Sequence, residues 1–163
     1  MTMRELTLWL TSFPLSPILR RSSWAIPAMQ TVHILSLGAL LASIVMIDLR
    51  IWGYARSATL VESARRFLPW IWVSLVVLTV SGVLLTIAEP RRILNGTFQI
   101  KMILMVIAIV ATVPFHWALG RYSAAWDANA GARWKAGAFA GVILFLWFAD
   151  TVAGRGRWIA NFF

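Results

Sequence analysis

The feature that most constrains the fold is an uncharged apolar run from Ile26 to Ile47. As a helix rising about 1.5 Å per residue, the run is long enough to cross a hydrocarbon layer about 30 Å thick. One of the chain's two histidines, His33, lies in its first third, and the other, His116, lies in a later apolar run. Because an imidazole is costly to place inside a membrane, both histidines are candidate functional residues.

Four apolar runs follow one another along the chain and predict four membrane-spanning helices at about residues 26–47, 67–88, 98–119 and 136–154. The 163 residues are the length of one domain. We therefore expect an all-α, integral membrane four-helix bundle in a single transmembrane domain, 1–163. Short interfacial segments are expected at both ends: an amphipathic helix at about 3–13, and a tail from Arg155 to Phe163 that alternates basic and aromatic residues.

Helix-start signals refine this outline. Thr2 with Glu5 and Thr59 with Glu62 have the spacing of a capping box, and Thr97 is expected to cap the third span. The stretch from Arg121 to Lys135 is polar and is expected to be a connector. Gly137 and Gly141 open the fourth span with a small-xxx-small pattern, which is typical of closely packed membrane helices.

Composition excludes several classes of function. Apolar residues make up 60% of the chain and charged residues 13%, against about a quarter charged in soluble domains. The net charge of +9 comes from basic residues that flank the apolar runs, which favours anionic lipid headgroups over nucleic acid as their partners. The chain has no cysteine, so disulfides and thiolate-ligated metals or haem are excluded.

Four spans place both termini on one side of the membrane, here called side A, with side B opposite. The 15 basic residues divide almost evenly between the two sides, so the positive-inside rule assigns no orientation. His33 falls in the side-A half and His116 in the side-B half, about 10 to 16 Å apart in depth. Asp150 matches the depth of His33 and Asp48 that of His116. Each carboxylate either orients a ligating imidazole from the second shell or turns to arginines at the helix end.

Gln30 lies one helical turn before His33, where it would hydrogen-bond a ligand, the imidazole or a neighbouring helix. The histidines themselves have three interpretations: hydrogen bonds between helices, proton relay, or ligation of a metal or haem. We favour ligation because neutral imidazole is a common iron ligand. Trp147, deep in the fourth span, is either a packing residue or a wall for a flat ligand. No nucleophile–base arrangement, glycine-rich phosphate loop or paired-carboxylate site is visible, which indicates an electron carrier rather than an enzyme.

The sequence resembles a family of small bacterial four-helix membrane proteins that is catalogued as a domain of unknown function. The matching pieces cover most of the chain and are Ser23 to Pro27, Val32 to Ile34, Ile47 to Arg50, Leu68 to Trp70, Phe115-His116, Trp126-Asp127 and Gly156 to Ala160. A looser likeness of architecture is to four-helix b-type cytochromes and to the membrane domain of copper-resistance D proteins. That likeness implies haem b.

We therefore expect a haem b-binding electron-transfer protein of the bacterial inner membrane, with His33, His116 or both as metal ligands. Arg157 and Arg155 are the candidates for contact with haem propionates near His33, and Arg121 is the candidate near His116. Because the two histidines lie at different depths, one haem is not expected to bind both within a monomer. The alternative is a non-haem metal site of the copper type, or a structural partner subunit without bound metal or catalysis.

Several partners are expected. The spans contact the lipid bilayer, and wholly apolar helices together with the frequency of symmetric assemblies favour a homo-oligomer. A quinone or another redox protein would exchange electrons with the haem.

Overall fold

In a computed structural model that describes residues 2–54 and 59–154, the protein is all-α, and the described residues contain no strand. Two short helices form an amino-terminal hairpin: α1 (Met3–Ser12) and α2 (Leu15–Arg21). Four long helices follow: α3 (Ala25–Ile51), α4 (Leu60–Ala88), α5 (Gly96–Ala128) and α6 (Ala130–Ala153). A short 3₁₀ helix, Pro90–Leu94, joins α4 to α5. The predicted all-α four-helix bundle is confirmed.

The four long helices are each long and apolar enough to cross a membrane. Only 28–33% of the residues in the most apolar window of each helix are buried inside the bundle. The outward faces are therefore apolar as well, which a water-soluble bundle does not tolerate over such an area. The chain is a multi-pass membrane protein whose spans present apolar surface to lipid.

The helices are longer than the apolar segments, because the thickness of the hydrocarbon layer limits the length of the apolar segment and not the length of the helix. The polar connector expected from Arg121 to Lys135 is wrong: α5 continues to Ala128, and Asn129 alone separates it from α6. The Asn129 carboxamide oxygen accepts the backbone N–H groups of Gly131 and Ala132 at 3.0 and 3.2 Å, so it caps the new helix.

The capping boxes predicted at Thr2 with Glu5 and at Thr59 with Glu62 are both confirmed. The cap predicted at Thr97 is wrong by two residues. Asn95 caps α5 instead, since its side-chain oxygen accepts the backbone N–H of Thr97 at 2.9 Å.

Helix α3 packs against α4 and α6, and α5 packs against the same two helices. Helices α3 and α5 therefore lie on a diagonal of the bundle. The core between the four helices holds fully buried Leu40, Ile44, Ile71, Ile143 and Trp147.

On side B, Asp127 of α5 ties three helices together. One carboxylate oxygen accepts from Arg50 Nη2 of α3 at 2.9 Å, and the other accepts from the backbone N–H of Leu60, at the start of α4, at 2.7 Å. Nearby, Trp52 Nε1 donates to the carbonyl of Gly137 at 3.0 Å. A methyl group on Gly137 would lie 3.0 Å from Trp52 Cδ1, so glycine is what allows this close approach to α6.

On side A, the amino-terminal hairpin lies against the ends of the spans. Arg20 Nε donates to the backbone carbonyl of Ala88 at 2.7 Å, one of the carbonyls that the end of α4 leaves without a helical partner. Helix α1 packs against the 3₁₀ helix. The hairpin thus covers the side-A end of the bundle next to His33.

Candidate functional site

His33 projects from α3 toward α4 and is half-buried. Its Nδ1 lies 2.9 Å from the hydroxyl oxygen of Ser81, and the carbonyls of Val77 and Leu78 lie 2.7 and 3.1 Å from the same oxygen. When the Ser81 hydroxyl donates to one of these carbonyls, it accepts from His33 Nδ1–H, and Nε2 then carries the lone pair. This is the tautomer that a metal ligated through Nε2 requires.

The imidazole lies against α4 at Gly82. A methyl group on Gly82 would lie 3.4 Å from His33 Cε1 and 3.9 Å from Nδ1, which is ordinary van der Waals contact. The ring therefore packs beside this residue as well as bonding Ser81.

A cavity of about 490 Å³ opens beside His33 on side A. Its volume lies within the range of about 300–1,000 Å³ usual for small-molecule and cofactor sites. The walls are mostly apolar and come from the hairpin and from three spans. They include Trp9, Leu10, Phe13, Ile34, Val83, Leu85, Ile87, Phe98, Met102 and Met105. The cavity is therefore suited to a largely apolar ligand.

A few polar side chains also line this cavity. Gln30 and His33 are on α3, Arg92 is on the 3₁₀ helix and Lys101 is on α5. Lys101 lies close enough to His33 to act on it electrostatically, and it acts on Asp150 of α6 as well. One imidazole and two cations on an apolar cavity suit a ligand that has an apolar body and an anionic edge.

Sequence reasoning identified His33 and Gln30 but missed other members of the site. Phe98, Lys101, Met102 and Met105 recur at the three- and four-residue spacing of one helix face, and a lysine inside an apolar run is itself a signal. No local pattern marks Ser81 or Arg92, because each reaches the site through tertiary packing.

His116 has a different environment. Its side chain is 1% exposed, and its Nδ1 donates to the carbonyl of Thr112 at 2.9 Å, one turn earlier on α5. Because a carbonyl only accepts, Nε2 again carries the lone pair, yet within the described residues it has no hydrogen-bond partner. The Thr112 hydroxyl accepts from Trp147 Nε1 at 2.9 Å, so this part of the core is closely packed.

The structure separates the two histidines in depth. His33 lies level with Ser81 on α4, and Gly120, one turn beyond His116, lies level with Leu68 of the same helix. Helix α4 rises from the level of Leu68 to the level of Ser81, and His116 lies one turn nearer to side A than Gly120. The remaining rise places the two histidines about 13 Å apart along the bundle. The cavity includes His33 and excludes His116.

The carboxylates predicted to orient the imidazoles do not do so. Ser81 partners His33 and a backbone carbonyl partners His116. Both oxygens of Asp48 and one oxygen of Asp150 are buried and have no hydrogen-bond partner within the described chain. The second-shell roles of Asp48 and Asp150 toward a bound metal stay a prediction, while Ser81 and the Thr112 carbonyl are the partners of Nδ1 in this structure.

The predicted propionate-binding arginines differ in outcome. Arg155 and Arg157 lie outside the described residues. Arg121 is exposed and stacks over the Trp117 ring at 5.8 Å, away from the cavity. Among the described residues, Lys101 and Arg92 line the cavity, and Arg92 is paired with Glu89.

Across residues 2–54 and 59–154, no three His, Cys, Asp or Glu side chains converge as a metal-binding group. Any metal held at His33 would therefore need ligands of another kind, such as a thioether or a porphyrin. Comparisons with protein-family models, with curated proteins and with solved structures give no match.

Proposed function

We propose that the protein binds haem b in the cavity beside His33 and transfers electrons within the bacterial inner membrane. The proposal rests on one observation: the same cavity is lined by apolar side chains and by an imidazole whose Nδ1 is hydrogen-bonded to Ser81. Haem b would supply an iron that takes up and releases one electron. The residues of the chain supply ligation, orientation and exclusion of water.

Each part of the cavity matches one requirement of the cofactor. His33 would hold the iron through Nε2, and Ser81 would orient its ring through the hydrogen bond to Nδ1. The apolar walls would accept the macrocycle, while Lys101 would offer positive charge to the propionates. Met102 and Met105 line the same cavity, and either thioether would be available to the iron as a further ligand, a ligand type known in haem proteins.

The direct test is a visible spectrum of the purified protein, oxidised and reduced, after expression with ample haem supply. We expect a Soret band and a reduced spectrum typical of b-type haem. A protein that is folded and lacks a Soret band contradicts the proposal.

Whether a methionine would also bind the iron has its own test. One of the two variants Met102→Leu and Met105→Leu should shift the reduced spectrum to that of a five-coordinate haem, and the other should leave the spectrum unchanged. Met46→Leu, on the outward face of α3, is the matched control and should have no effect. Identical spectra for all three variants would exclude thioether ligation.

A second candidate function is a non-haem metal site at His116, or a structural partner role. It is favoured by unpartnered buried atoms, which are His116 Nε2 and both oxygens of Asp48. A soft or borderline metal such as copper accepts imidazole and carboxylate ligands. Metal analysis of the wild type and of His116→Ala tests it: stoichiometric metal that disappears in the variant supports the site. If the wild type contains neither metal nor haem, the result supports the structural partner role.

A further inference from the structure

A second recess lies on side A, separate from the wall that carries His33. It has a volume of about 530 Å³ and is lined by Arg20 at the end of α2, Ile26 near the start of α3, and Glu89, Arg91 and Arg92 where α4 meets the 3₁₀ helix. We call it the arginine cleft. Three guanidinium groups from two separate elements converge there.

Charge in the arginine cleft is not balanced by the residues that line it. Arg92 forms an ion pair with Glu89, whose carboxylate is the one acidic group of the lining. Arg20 donates from Nε to the carbonyl of Ala88, and a neutral carbonyl leaves the positive charge of the guanidinium unbalanced. Arg91 is exposed. The cleft therefore carries an excess of two positive charges beside apolar helix ends.

The position of the cleft indicates which anion would neutralise this charge. It lies where α3 begins and α4 ends, which is where the apolar spans give way to the headgroup layer. Trp24, 73% exposed next to Ile26, is the kind of residue that lies at this level of a membrane. Guanidinium groups bind phosphate oxygens through paired N–H donors.

We propose that the arginine cleft binds the headgroup of an anionic phospholipid that carries two negative charges, such as a diphosphatidylglycerol or a phosphatidic acid. The lipid would join α2 to the 3₁₀ helix and so hold the amino-terminal hairpin over the His33 cavity, because Arg92 borders both spaces. The proposal is independent of what the His33 cavity binds.

The test measures binding of three lipids to the purified full chain in a neutral detergent, by native mass spectrometry and by the shift of the thermal unfolding midpoint. The lipids are diphosphatidylglycerol, phosphatidylglycerol and phosphatidylcholine. We expect the affinity to fall in that order. Inorganic phosphate and pyrophosphate, as separate arms, should bind far more weakly because they lack acyl chains.

Arg91→Gln removes one charge from the cleft without touching the bond between Arg20 and Ala88. It should weaken binding of diphosphatidylglycerol about fivefold, the effect of one basic residue near a charged lipid surface. Arg91→Lys should retain most of the affinity. Arg65→Gln removes an exposed charge at the other end of the bundle and is the matched control.

Three results would overturn the proposal: equal losses in Arg91→Gln and Arg65→Gln, equal binding of phosphatidylcholine and diphosphatidylglycerol, or binding of pyrophosphate as tight as that of the lipid. The last would indicate a site for a free anion. Circular dichroism of each variant excludes unfolding as the cause of any loss.

Discussion

The two histidines each bond through Nδ1 and differ in what surrounds the ring. His33 borders a cavity, and its Nδ1 bonds a side chain of a neighbouring helix. His116 lies in a packed interior, and its Nδ1 bonds a carbonyl of its own helix. Both rings have a fixed partner, so open space beside the ring is what separates them, and of the two only His33 borders the cavity.

The test with the largest expected effect replaces each histidine with leucine in a separate variant. His33→Leu should lower haem affinity by a hundredfold or more, roughly 2.7 kcal/mol, because the proposed axial ligand is lost. His116→Leu should change the affinity by less than about twofold, since its ring does not border the cavity. Haem titration followed at the Soret band measures both. Loss of the same signal in both variants would mean that the two imidazoles share one haem, against the depth separation.

The closed character of the His116 region is tested through Thr112. Thr112→Val keeps the shape of the side chain but leaves the buried Trp147 N–H without its acceptor, at a cost of about 1–3 kcal/mol. We expect lower thermal stability with haem affinity unchanged. Thr31→Val is the control, because the Thr31 hydroxyl bonds only the backbone of its own helix and the residue does not line the cavity. If both substitutions destabilise equally, the Trp147 bond contributes nothing specific.

Ser81 should matter mainly for the His33 site. Ser81→Ala removes the acceptor that fixes the ring, and the loss of such an outer partner lowers affinity by about tenfold to a hundredfold. Ser36→Ala, which removes a hydroxyl bonded only to the backbone of α3, is the matched control. Haem affinity and unfolding temperature are measured for both. An unchanged affinity in Ser81→Ala would show that the ring is held by packing against Gly82.

The smallest expected effect concerns the anionic edge of the ligand. Lys101→Gln removes a charge from the cavity wall and should weaken haem binding about fivefold, in line with roughly 1 kcal/mol for a partly solvated charge contact. Lys135→Gln, exposed near the start of α6, controls for the change in net charge. A stronger loss for haem than for a haem diester, whose propionates are esterified, would identify the propionates as the partner of Lys101.

Much of the fold could be predicted, because it depends on local signals. Apolar length gives the four spans, and the Thr59 and Glu62 spacing gives the start of α4 correctly. The continuity of α5 through residues 121–128 was missed, since a polar stretch forms a helix as readily as a loop and nothing in the pattern separates the two.

The site could be predicted only in part. An imidazole in a membrane span is visible in the sequence, and so is its depth. The partner of His33 is not, because Ser81 is one of many small hydroxyl residues and its role comes from the packing of α3 on α4. The cations near His33 were expected at Arg155 and Arg157, which lie outside the described residues, and the approach of Arg92 through the 3₁₀ turn has no signal in the sequence.

The tie made by Asp127 joins α3, α4 and α5 at the end of the bundle far from the His33 cavity. At the cavity end, the 3₁₀ helix joins α4 to α5, and Arg20 of the hairpin is bonded to the carbonyl of Ala88. Trp9, Leu10 and Phe13 line the cavity from the hairpin side. A ligand that entered the cavity from the plane of the bilayer would therefore pass the hairpin and leave the Asp127 tie intact.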